Sequence, residues 1–437
     1  MRQSVKKWAI CALFAAVLLL PGCGAAANDS LYRLPKLPTE YESLETLIDA
    51  LIDGGAEYAA PTSGSNLQSV QMVDLDGDGE EEAVAFFRRP GDERPMKIYV
   101  FRATRDSYEQ FCVIEGTAHS IYSINYVDLD GDGWREILAG IRSDLDVQNL
   151  SVWSLAAGTP QQLLLAGYSR YTAHDMDGDG RQDLIVLRSD EENFAVADYY
   201  AWNATELALR SSFRLSGTVA ELSRLTNGVL SGGENALFVT SVTQDGGAIT
   251  DILTVGAGVL HSVKRGADIG RAFRFLEVYP GDVNADGITE VPEPAPFRKT
   301  DPEGDSYYRI CWRQYSAEGE ETLVRETYQE AQSGWNLILP SSWDDRVTVR
   351  RTSGTEGSSV TFSELHGAEE KPIVVIYAFT GADRTQLASR TGRIVLARQA
   401  EVSYAADIYN GGDDWIDEQT LRESFSLIQA EWTTGEN

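Results

Sequence analysis

Acidic side chains recur at alternate positions in three short segments of the chain. The first reads Asp74-Leu75-Asp76-Gly77-Asp78-Gly79, with a further acid at Glu82, and the other two follow the same pattern. The acids at positions 1, 3, 5 and 9 are Asp74, Asp76, Asp78 and Glu82; Asp128, Asp130, Asp132 and Glu136; and Asp175, Asp177, Asp179 and Asp183. A fourth segment keeps these positions with Asp282, Asn284, Asp286 and Glu290. Several oxygen ligands on one tight loop are the chemistry of a calcium site.

Calcium accepts six to eight oxygen ligands in irregular geometry, so a single loop has to present several carboxylates at once. Glycines at positions 4 and 6, which are Gly77 and Gly79 in the first segment, permit the positive φ angles of such a loop. Without cations, the fifteen carboxylates at these positions would repel one another. We therefore predict structural Ca²⁺ at three regular loops and at the irregular fourth; the competing interpretation is four acidic turns that bind nothing.

An EF-hand is an alternative explanation of the same acids, but it needs a bidentate acid at position 12 and a helix on each side. Position 12 is Ala85, Ala139 or Val186 in the first three segments, each within an apolar run typical of a strand. In the fourth segment Glu293 occupies position 12. Both interpretations therefore remain open for that segment alone.

The acidic segments mark an internal repeat. The first three begin 54 and 47 residues apart, and 107 residues then separate the third from the fourth. Aligning the apolar run that follows each segment predicts a hidden repeat, whose positions 1, 3, 5 and 9 are Asn227, Val229, Ser231 and Asn235. This repeat has lost its carboxylates, but it restores spacings of 52 and 55 residues.

Each repeat has room for about four short strands separated by Gly, Asp and Ser turns, which is typical of a propeller blade. The Asp-x-Asp-Gly-Asp-Gly-x-x-Asp/Glu motif, repeated in register over roughly residues 66–330, resembles the FG-GAP/VCBS repeats of integrin-alpha-like propellers. The resemblance implies a mainly β fold, with a β-propeller of about five to seven blades and calcium-loop repeats.

Two further regions flank the repeats. Residues 39–65 are predicted as an amphipathic helix and linker, because Leu44, Leu47, Ile48 and Leu51 recur at helical spacing. Residues 333–437, which follow repeats assigned to residues 66–332, are predicted as a small α+β domain. It is predicted to end in a helix whose apolar face is formed by Leu421, Phe425, Ile428 and Trp432. The segment Gly334-Trp335-Asn336-Leu337-Ile338-Leu339-Pro340, with Trp343, is similar to the opening hairpin of PsbP-like domains.

The first 22 residues are typical of a secretory signal, with Arg2, Lys6 and Lys7 preceding an apolar run that is too short to span a bilayer comfortably. The following Cys23 resembles the lipidated cysteine of a bacterial lipobox, which implies a diacylated anchor and a tether over residues 23–38. The alternative is an ordinary secretory signal in which Cys23 is incidental. Both interpretations predict export, and the first predicts an extracytoplasmic, membrane-anchored lipoprotein.

The composition of the chain restricts the kinds of partner that it can bind. A formal net charge of -30 repels nucleic acid and anionic lipid surfaces and favours cations. Cys112 and Cys311 are expected to be buried thiols, with a disulfide as the alternative. None of the four histidines lies in a recognised catalytic motif.

These observations predict a binding or scaffold module for a surface ligand such as a glycan, peptide or protein, docked on the blade-connecting loops. The run 199–202, with two tyrosines and a tryptophan, is a candidate contact surface, and interior packing is the alternative for those rings. A calcium-dependent polysaccharide lyase or glycosidase is the second hypothesis, because two catalytic carboxylates need only meet in space.

Overall fold

The computed structural model describes residues 39–105, 107–142, 148–244, 247–263, 278–301, 303–367, 369–409 and 415–428. The predicted signal segment, the lipidation site Cys23 and the tether to residue 38 lie outside the described residues. Within the described part of the chain, no helix is both long and apolar enough to cross a membrane.

The described residues form a mainly β fold with six antiparallel sheets, which follow one another along the chain except that β27 returns to sheet 5. In sheet 1, β3, β4 and β5 pair in order, while β1 and β2 pair with two parts of the same edge of β3. Sheet 2 (β6 to β9), sheet 3 (β10 to β13) and sheet 4 (β14 to β17) are four-stranded meanders. Their strands are β1 Glu57–Tyr58, β2 Val70–Val73, β3 Glu82–Arg88, β4 Met96–Ala103, β5 Tyr108–Gly116, β6 Ser120–Val127, β7 Glu136–Arg142, β8 Gln148–Ser154, β9 Gln161–Gly167, β10 Arg170–His174, β11 Asp183–Ser189, β12 Phe194–Asn203, β13 Glu206–Thr218, β14 Leu222–Val229, β15 Asn235–Val242, β16 Ala248–Gly256 and β17 Val259–Ser262.

Sheets 5 and 6 contain the remaining strands. Sheet 5 has the order β18-β19-β20-β21-β27 and sheet 6 the order β22-β23-β24-β26-β25. Their bounds are β18 Val291–Pro296, β19 Tyr308–Tyr315, β20 Glu321–Glu330, β21 Trp335–Ile338, β22 Val347–Gly354, β23 Gly357–His366, β24 Glu369–Phe379, β25 Ile394–Arg398, β26 Ser403–Ile408 and β27 Phe425–Leu427. The helices are α1 Thr39–Asp53, α2 Arg384–Ala388 and α3 Glu418–Ser424.

Strands β3, β7 and β11, which follow the first three acidic segments, are continuous apolar runs because both of their faces are covered. In β3 every residue from Glu82 to Phe87 is buried, and Arg88 alone is exposed. Side chains on one face of the strand pack against sheet 2, and those on the other face pack under α1. A single strand therefore contributes to two cores.

Hydrophobic cores join the sheets in chain order. Successive cores lie between α1 and sheet 1, sheets 1 and 2, sheets 2 and 3, sheets 3 and 4, sheets 4 and 5, and sheets 5 and 6. Helix α1 covers sheet 1 with Leu44 and Ile48, and Ser43 accepts a 2.7 Å hydrogen bond from the backbone N–H of Tyr108. Among the described residues, no hydrophobic core contains side chains of both sheet 1 and sheet 5.

The hidden repeat does form a sheet of its own, sheet 4, but its first loop is shorter than we predicted. Strand β14 continues through Val229, which pairs with Asn235 at the start of β15, so five residues connect the strands. In sheet 1, Val73 pairs with Glu82, and eight residues intervene. Asn227 and Val229 therefore lie in a strand rather than at ligand positions, and only Asn235 keeps its predicted place.

Two domain boundaries that we predicted from the sequence separate strands that pair within one sheet. Strands β21 and β27, which we placed in the C-terminal region, belong to sheet 5, where β21 pairs with β20 and β27 pairs with β21. Strand β1, which we placed in the linker, pairs with β3 in sheet 1. The predicted terminal helix is also too long, because it ends at Ser424 and Phe425 begins β27.

The two cysteines of the described chain are free and buried, in β5 and β19 respectively. Burial raises the pKa of the Cys112 thiol to about 12 and that of Cys311 to about 11. Because the thiolate is the reactive form, both side chains are expected to act as packing groups rather than as nucleophiles.

Candidate metal centres

Four acidic loops, each ending on a buried acid, lie at sheets 1, 2, 3 and 5. Loop 1 (74–82) connects β2 to β3, loop 2 (128–136) connects β6 to β7, loop 3 (175–183) connects β10 to β11, and loop 4 (282–290) leads into β18. In loop 1 the Asp74 carboxylate accepts the backbone N–H of Gly77 at 2.8 Å and that of Gly79 at 3.3 Å. Both glycines have positive φ, at 72° and 91°. The first acid therefore folds the loop around its own carboxylate.

The same hydrogen bonds recur in the other loops. Asp128, Asp175 and Asp282 each accept the N–H of the glycine at position 6, at 3.1, 3.0 and 2.8 Å. Loop 4 has Ala285 at position 4, and this residue takes a φ of 62°, a region that non-glycine residues enter uncommonly. The irregular fourth sequence therefore adopts the geometry of the three regular loops.

Loop 4 is not an EF-hand. Its position 12, Glu293, lies in β18, where the carboxylate accepts a hydrogen bond from Tyr315 and pairs with Arg313 at 3.2 Å. The acid that closes the loop is Glu290 at position 9, whose carboxylate accepts the N–H of Val283 at 2.8 Å. Strand register, rather than a flanking helix, sets this geometry.

The acid at position 9 is the first residue of the following strand in loops 1 to 3, and it is buried in all four loops. The exposed fractions are 2% for Glu82, 0% for Glu136, 4% for Asp183 and 0% for Glu290. In loops 1 to 3 one oxygen accepts the N–H of position 2 at 2.9 Å. Position 2 is itself an apolar side chain buried between sheets, as Leu75, Leu129 and Met176 show.

Burial makes these carboxylates costly to keep ionised. Desolvation raises the pKa of Glu136 to about 7 and that of Asp183 to about 6, and it raises the pKa of Glu82 and Glu290. The second carboxylate oxygen of Glu136, Oε1, is buried, and apart from the Ser154 hydroxyl, which lowers the pKa of this carboxyl, it has no hydrogen-bond partner among the described residues. A bound cation would stabilise such a buried oxygen beside other carboxylates.

The loops bring most of the predicted ligands together in sets of three whose oxygens lie within 4.8 Å of one another. The sets are Asp74, Asp76 and Asp78; Asp128, Asp130 and Glu136; Asp175, Asp177 and Asp183; and Asp282, Asp286 and Glu290. Each of these clusters could hold a metal ion. The remaining predicted ligands, Glu82, Asp132, Asp179 and Asn284, lie in the same loops but outside these sets.

The loops differ in the side chains that lie beside their carboxylates. We did not predict these neighbours from the sequence. In loop 1 the Arg102 guanidinium lies 3.4 Å from Asp76, with its carbon 4.0 Å from the Phe111 ring centroid and 5.4 Å from that of Trp134. In loop 3 Arg181 donates to Asp179 through Nε at 3.0 Å.

In loop 4 the Gln314 amide donates to Asp286 at 2.8 Å and to Glu290 at 2.7 Å. No ion pair between described residues involves a carboxylate of loop 2. The carboxylates of loop 4 form no ion pair between described residues either, so loops 2 and 4 lack the guanidinium partner that loops 1 and 3 have.

Each loop also contacts a neighbouring repeat. The N–H of Arg135, in loop 2, donates to the carbonyl of Leu75 in loop 1 at 2.7 Å. The side chain of Asn235 donates to the carbonyl of Asp175 at 2.6 Å, and Thr289 donates its N–H to Val229 at 2.9 Å. A cation held in one loop would therefore stiffen the junction between two sheets.

Replacing Arg102 should strengthen cation binding at loop 1. The guanidinium supplies a fixed positive charge beside Asp76, so Arg102→Gln removes a competitor worth about 0.5–1 kcal/mol. We expect the Kd of the weakest step in a calorimetric Ca²⁺ titration to fall by about two- to five-fold. Arg188→Gln is the matched control, because Arg188 pairs with Asp198 at 2.6 Å in sheet 3. An unchanged or weaker titration in Arg102→Gln would contradict this role.

The aromatic run proposed as a contact surface packs inside the molecule instead. Tyr199 is fully buried between sheets 3 and 4, and Tyr200 is buried between sheets 2 and 3. Trp202 packs partly against the same core as Tyr200. The interior-packing alternative is therefore confirmed, because the sheets cover both faces of β12.

No family model matches the chain, and no curated protein matches it. Among solved structures, a putative 6-phosphogluconolactonase from Bacteroides fragilis is similar at a TM-score of 0.28 and 10% identity, over 71% of this chain and 85% of that one. A protein from Lactobacillus plantarum is similar at 0.21 and 10% identity, over 65% and 93% of the two chains. A Tc holotoxin pore of Photorhabdus luminescens gives 0.19 and 11% identity, over 74% and 20%. These scores are too low to establish a shared fold.

Proposed function

We propose that the chain is an extracytoplasmic binding or scaffold module whose repeated sheets are braced by Ca²⁺ ions in loops 1 to 4. The observation that carries the cation role is the Glu136 carboxylate, which is 0% exposed and has an oxygen within 4.8 Å of those of Asp128 and Asp130. Thermal unfolding with and without EGTA tests it, and an unchanged melting curve contradicts it.

Calcium fits these loops better than other common cations. The clustered groups are all carboxylates, and hard oxygen ligands favour Ca²⁺ and Mg²⁺ over Zn²⁺, which prefers nitrogen and sulfur. Mg²⁺ demands near-ideal octahedral geometry and keeps several waters, whereas Ca²⁺ tolerates the irregular, multidentate shell of a tight acidic loop. The net charge of -30 also concentrates cations at the surface.

We propose that sheets 1 to 5 are the blades of a propeller-like array. Their meander order, their packing in chain order and the position of each acidic loop at a blade junction support this proposal. The array would begin under helix α1 and end against sheet 6, which would make sheet 6 and α3 an appended α+β unit.

The N-terminal residues support a lipid anchor at Cys23. We expect a Cys23→Ser variant to lose incorporation of labelled palmitate and to move from the membrane fraction to the soluble exported fraction, because the thioether is the attachment point. Immunoblots of fractionated cells, with a Cys112→Ser variant as the matched control, measure this. A Cys23→Ser protein that still carries label in the membrane fraction would contradict the anchor.

A further inference from the structure

A cavity of about 680 Å³ opens where the edge strands β6, β10 and β14 of sheets 2, 3 and 4 converge. Its wall carries hydroxyl, amide and phenol groups, including Tyr122, Ser123, Asn125, Tyr171, Thr172 and Asn227. This volume lies in the range of small-molecule binding sites. None of the metal loops lines it, so it is a separate feature of the array.

The charge of the cavity differs from that of the chain. The chain has 67 Asp and Glu residues, yet none of the described residues that line this cavity is a carboxylate. Arg170 is the charged lining residue, and its guanidinium already donates to the carbonyls of Leu222 and Ser223, at 3.1 and 3.2 Å. A cationic ligand would find no counter-charge here, and an anionic ligand would meet one engaged guanidinium in a strongly acidic protein. The lining therefore favours an uncharged ligand.

The polar groups of the wall are held in place before any ligand arrives. Asn125 donates to the Tyr171 hydroxyl at 2.7 Å, and Asn227 donates to the Thr172 hydroxyl at 3.1 Å across two sheets. The ring of Tyr171 lies edge-on to Tyr168, with centroids 5.6 Å apart. Preorganised side chains reduce the entropy lost on binding.

We propose that this cavity binds a neutral oligosaccharide, an inference that rests on the proposed role as a binding module and names its ligand class. Sugar hydroxyls donate and accept hydrogen bonds, as do the phenol, hydroxyl and amide groups of the wall. The apolar faces of sugar rings pack against aromatic rings such as Tyr122 and Tyr171. The described lining residues contain no carboxylate and therefore no acid pair of the kind that hydrolyses glycosides.

Calorimetric titration of the full lipidated chain, in Ca²⁺ and in a detergent without a sugar headgroup, tests this proposal. The probes are the neutral hexaoses of chitin, cellulose, xylan, mannan and amylose, with chitosan hexaose and oligogalacturonate as charged counterparts. We expect at least one neutral hexaose to bind with a Kd of about 1 mM or tighter and each charged counterpart to bind at least about ten-fold more weakly. Binding of no neutral hexaose, or tighter binding of a charged one, would overturn the proposal.

Two variants locate the site. Tyr171→Phe removes one hydroxyl and keeps the ring, and Asn227→Asp places a charge at an exposed position of the wall. We expect each variant to weaken binding by about five- to ten-fold, the equivalent of one hydrogen bond. Tyr409→Phe is the matched control, since Tyr409 is 61% exposed and lies outside the cavity.

Wild-type affinity in both cavity variants would show that the sugar binds elsewhere and would overturn the assignment of the cavity. Binding of Ca²⁺ by loops 1 to 4 is tested separately from sugar binding. A chain that binds Ca²⁺ and no neutral hexaose keeps the proposed cation role and loses this inference, whereas a chain that binds neither loses both.

Discussion

Chelation of divalent cations with EGTA is expected to lower the melting temperature of the chain by at least about 5 °C, and added Ca²⁺ should restore it. A ligand that binds only the folded state stabilises it by about 2.7 kcal/mol when present at 100 times its Kd. In a domain of 150–250 residues, each kcal/mol shifts the melting temperature by about 2–4 °C. One saturated loop therefore accounts for the expected shift, and further occupied loops would enlarge it.

Circular dichroism at a β-sheet wavelength, recorded during heating in Ca²⁺, in Mg²⁺ and in EGTA, measures this effect. Mg²⁺ should stabilise less than Ca²⁺, because these loops supply an irregular shell. The Glu192→Gln variant is a control, since Glu192 is an acid outside the loops whose partner is Arg214. It should retain the full EGTA shift. Superimposable curves in Ca²⁺ and EGTA would remove the basis for structural cations.

A second large effect is expected from Glu136→Gln, and its sign should depend on calcium. In Ca²⁺ the variant loses a ligand of loop 2, and we expect a loss of about 2–3 kcal/mol of stability, equivalent to one saturated site. In EGTA at a pH above 7 the wild-type chain must bury an ionised carboxylate, because Glu136 is 0% exposed and desolvation raises its pKa to about 7. The neutral amide avoids that cost, so the variant should melt at the same temperature as wild type or higher.

The chain already contains an amide in a position comparable to that of the side chain that Glu136→Gln introduces. In loop 4 the side chain of Gln314 donates to Asp286 and Glu290, which shows how an amide satisfies neighbouring carboxylates in a loop of this geometry. In loop 2 the new amide would meet Asp128 and Asp130. Melting curves of wild type and variant in both buffers measure the effect. Equal destabilisation in Ca²⁺ and in EGTA would indicate that Glu136 acts through packing alone and would contradict the cation role.

The ligand spacing within each loop could be predicted from the sequence because it is local. Asp74, Asp76 and Asp78 alternate within five residues, and the glycine positions restrict the turn that connects them. The buried strand after each of loops 1 to 3 was equally clear, since Ala83–Phe87, for example, is an uninterrupted apolar run. Local periodicity and turn chemistry are sufficient for both features.

The groups that distinguish the loops could not be predicted in the same way, because they come from a neighbouring strand. Arg102 lies beside Glu82 across the β3–β4 pair, and Gln314 lies beside Glu290 across β18–β19. The hairpins that join these strands differ in length, so no fixed spacing identifies the two partners. The strand register that places each partner beside its loop therefore depends on the tertiary structure and not on the local sequence.

The remaining errors have related causes. Asn227 looked like a loop position because the alignment assumed a connection of constant length, whereas β14 extends by backbone pairing to Val229. Phe425 continued the apolar spacing of a helix, yet its backbone pairs with Leu337 in sheet 5. In both places, strand pairing with a distant segment outweighed the local pattern.

The most direct measurement of the central claim is a calcium anomalous difference map from crystals grown in millimolar Ca²⁺. Such a map locates the ion itself rather than its effect on stability. We predict peaks inside loops 2 and 3, about 2.3–2.6 Å from the oxygens of Asp128, Asp130 and Glu136 and of their loop 3 counterparts. The absence of anomalous density from both loops, with their carboxylates bound to water alone, would contradict the claim that cations brace these sheets.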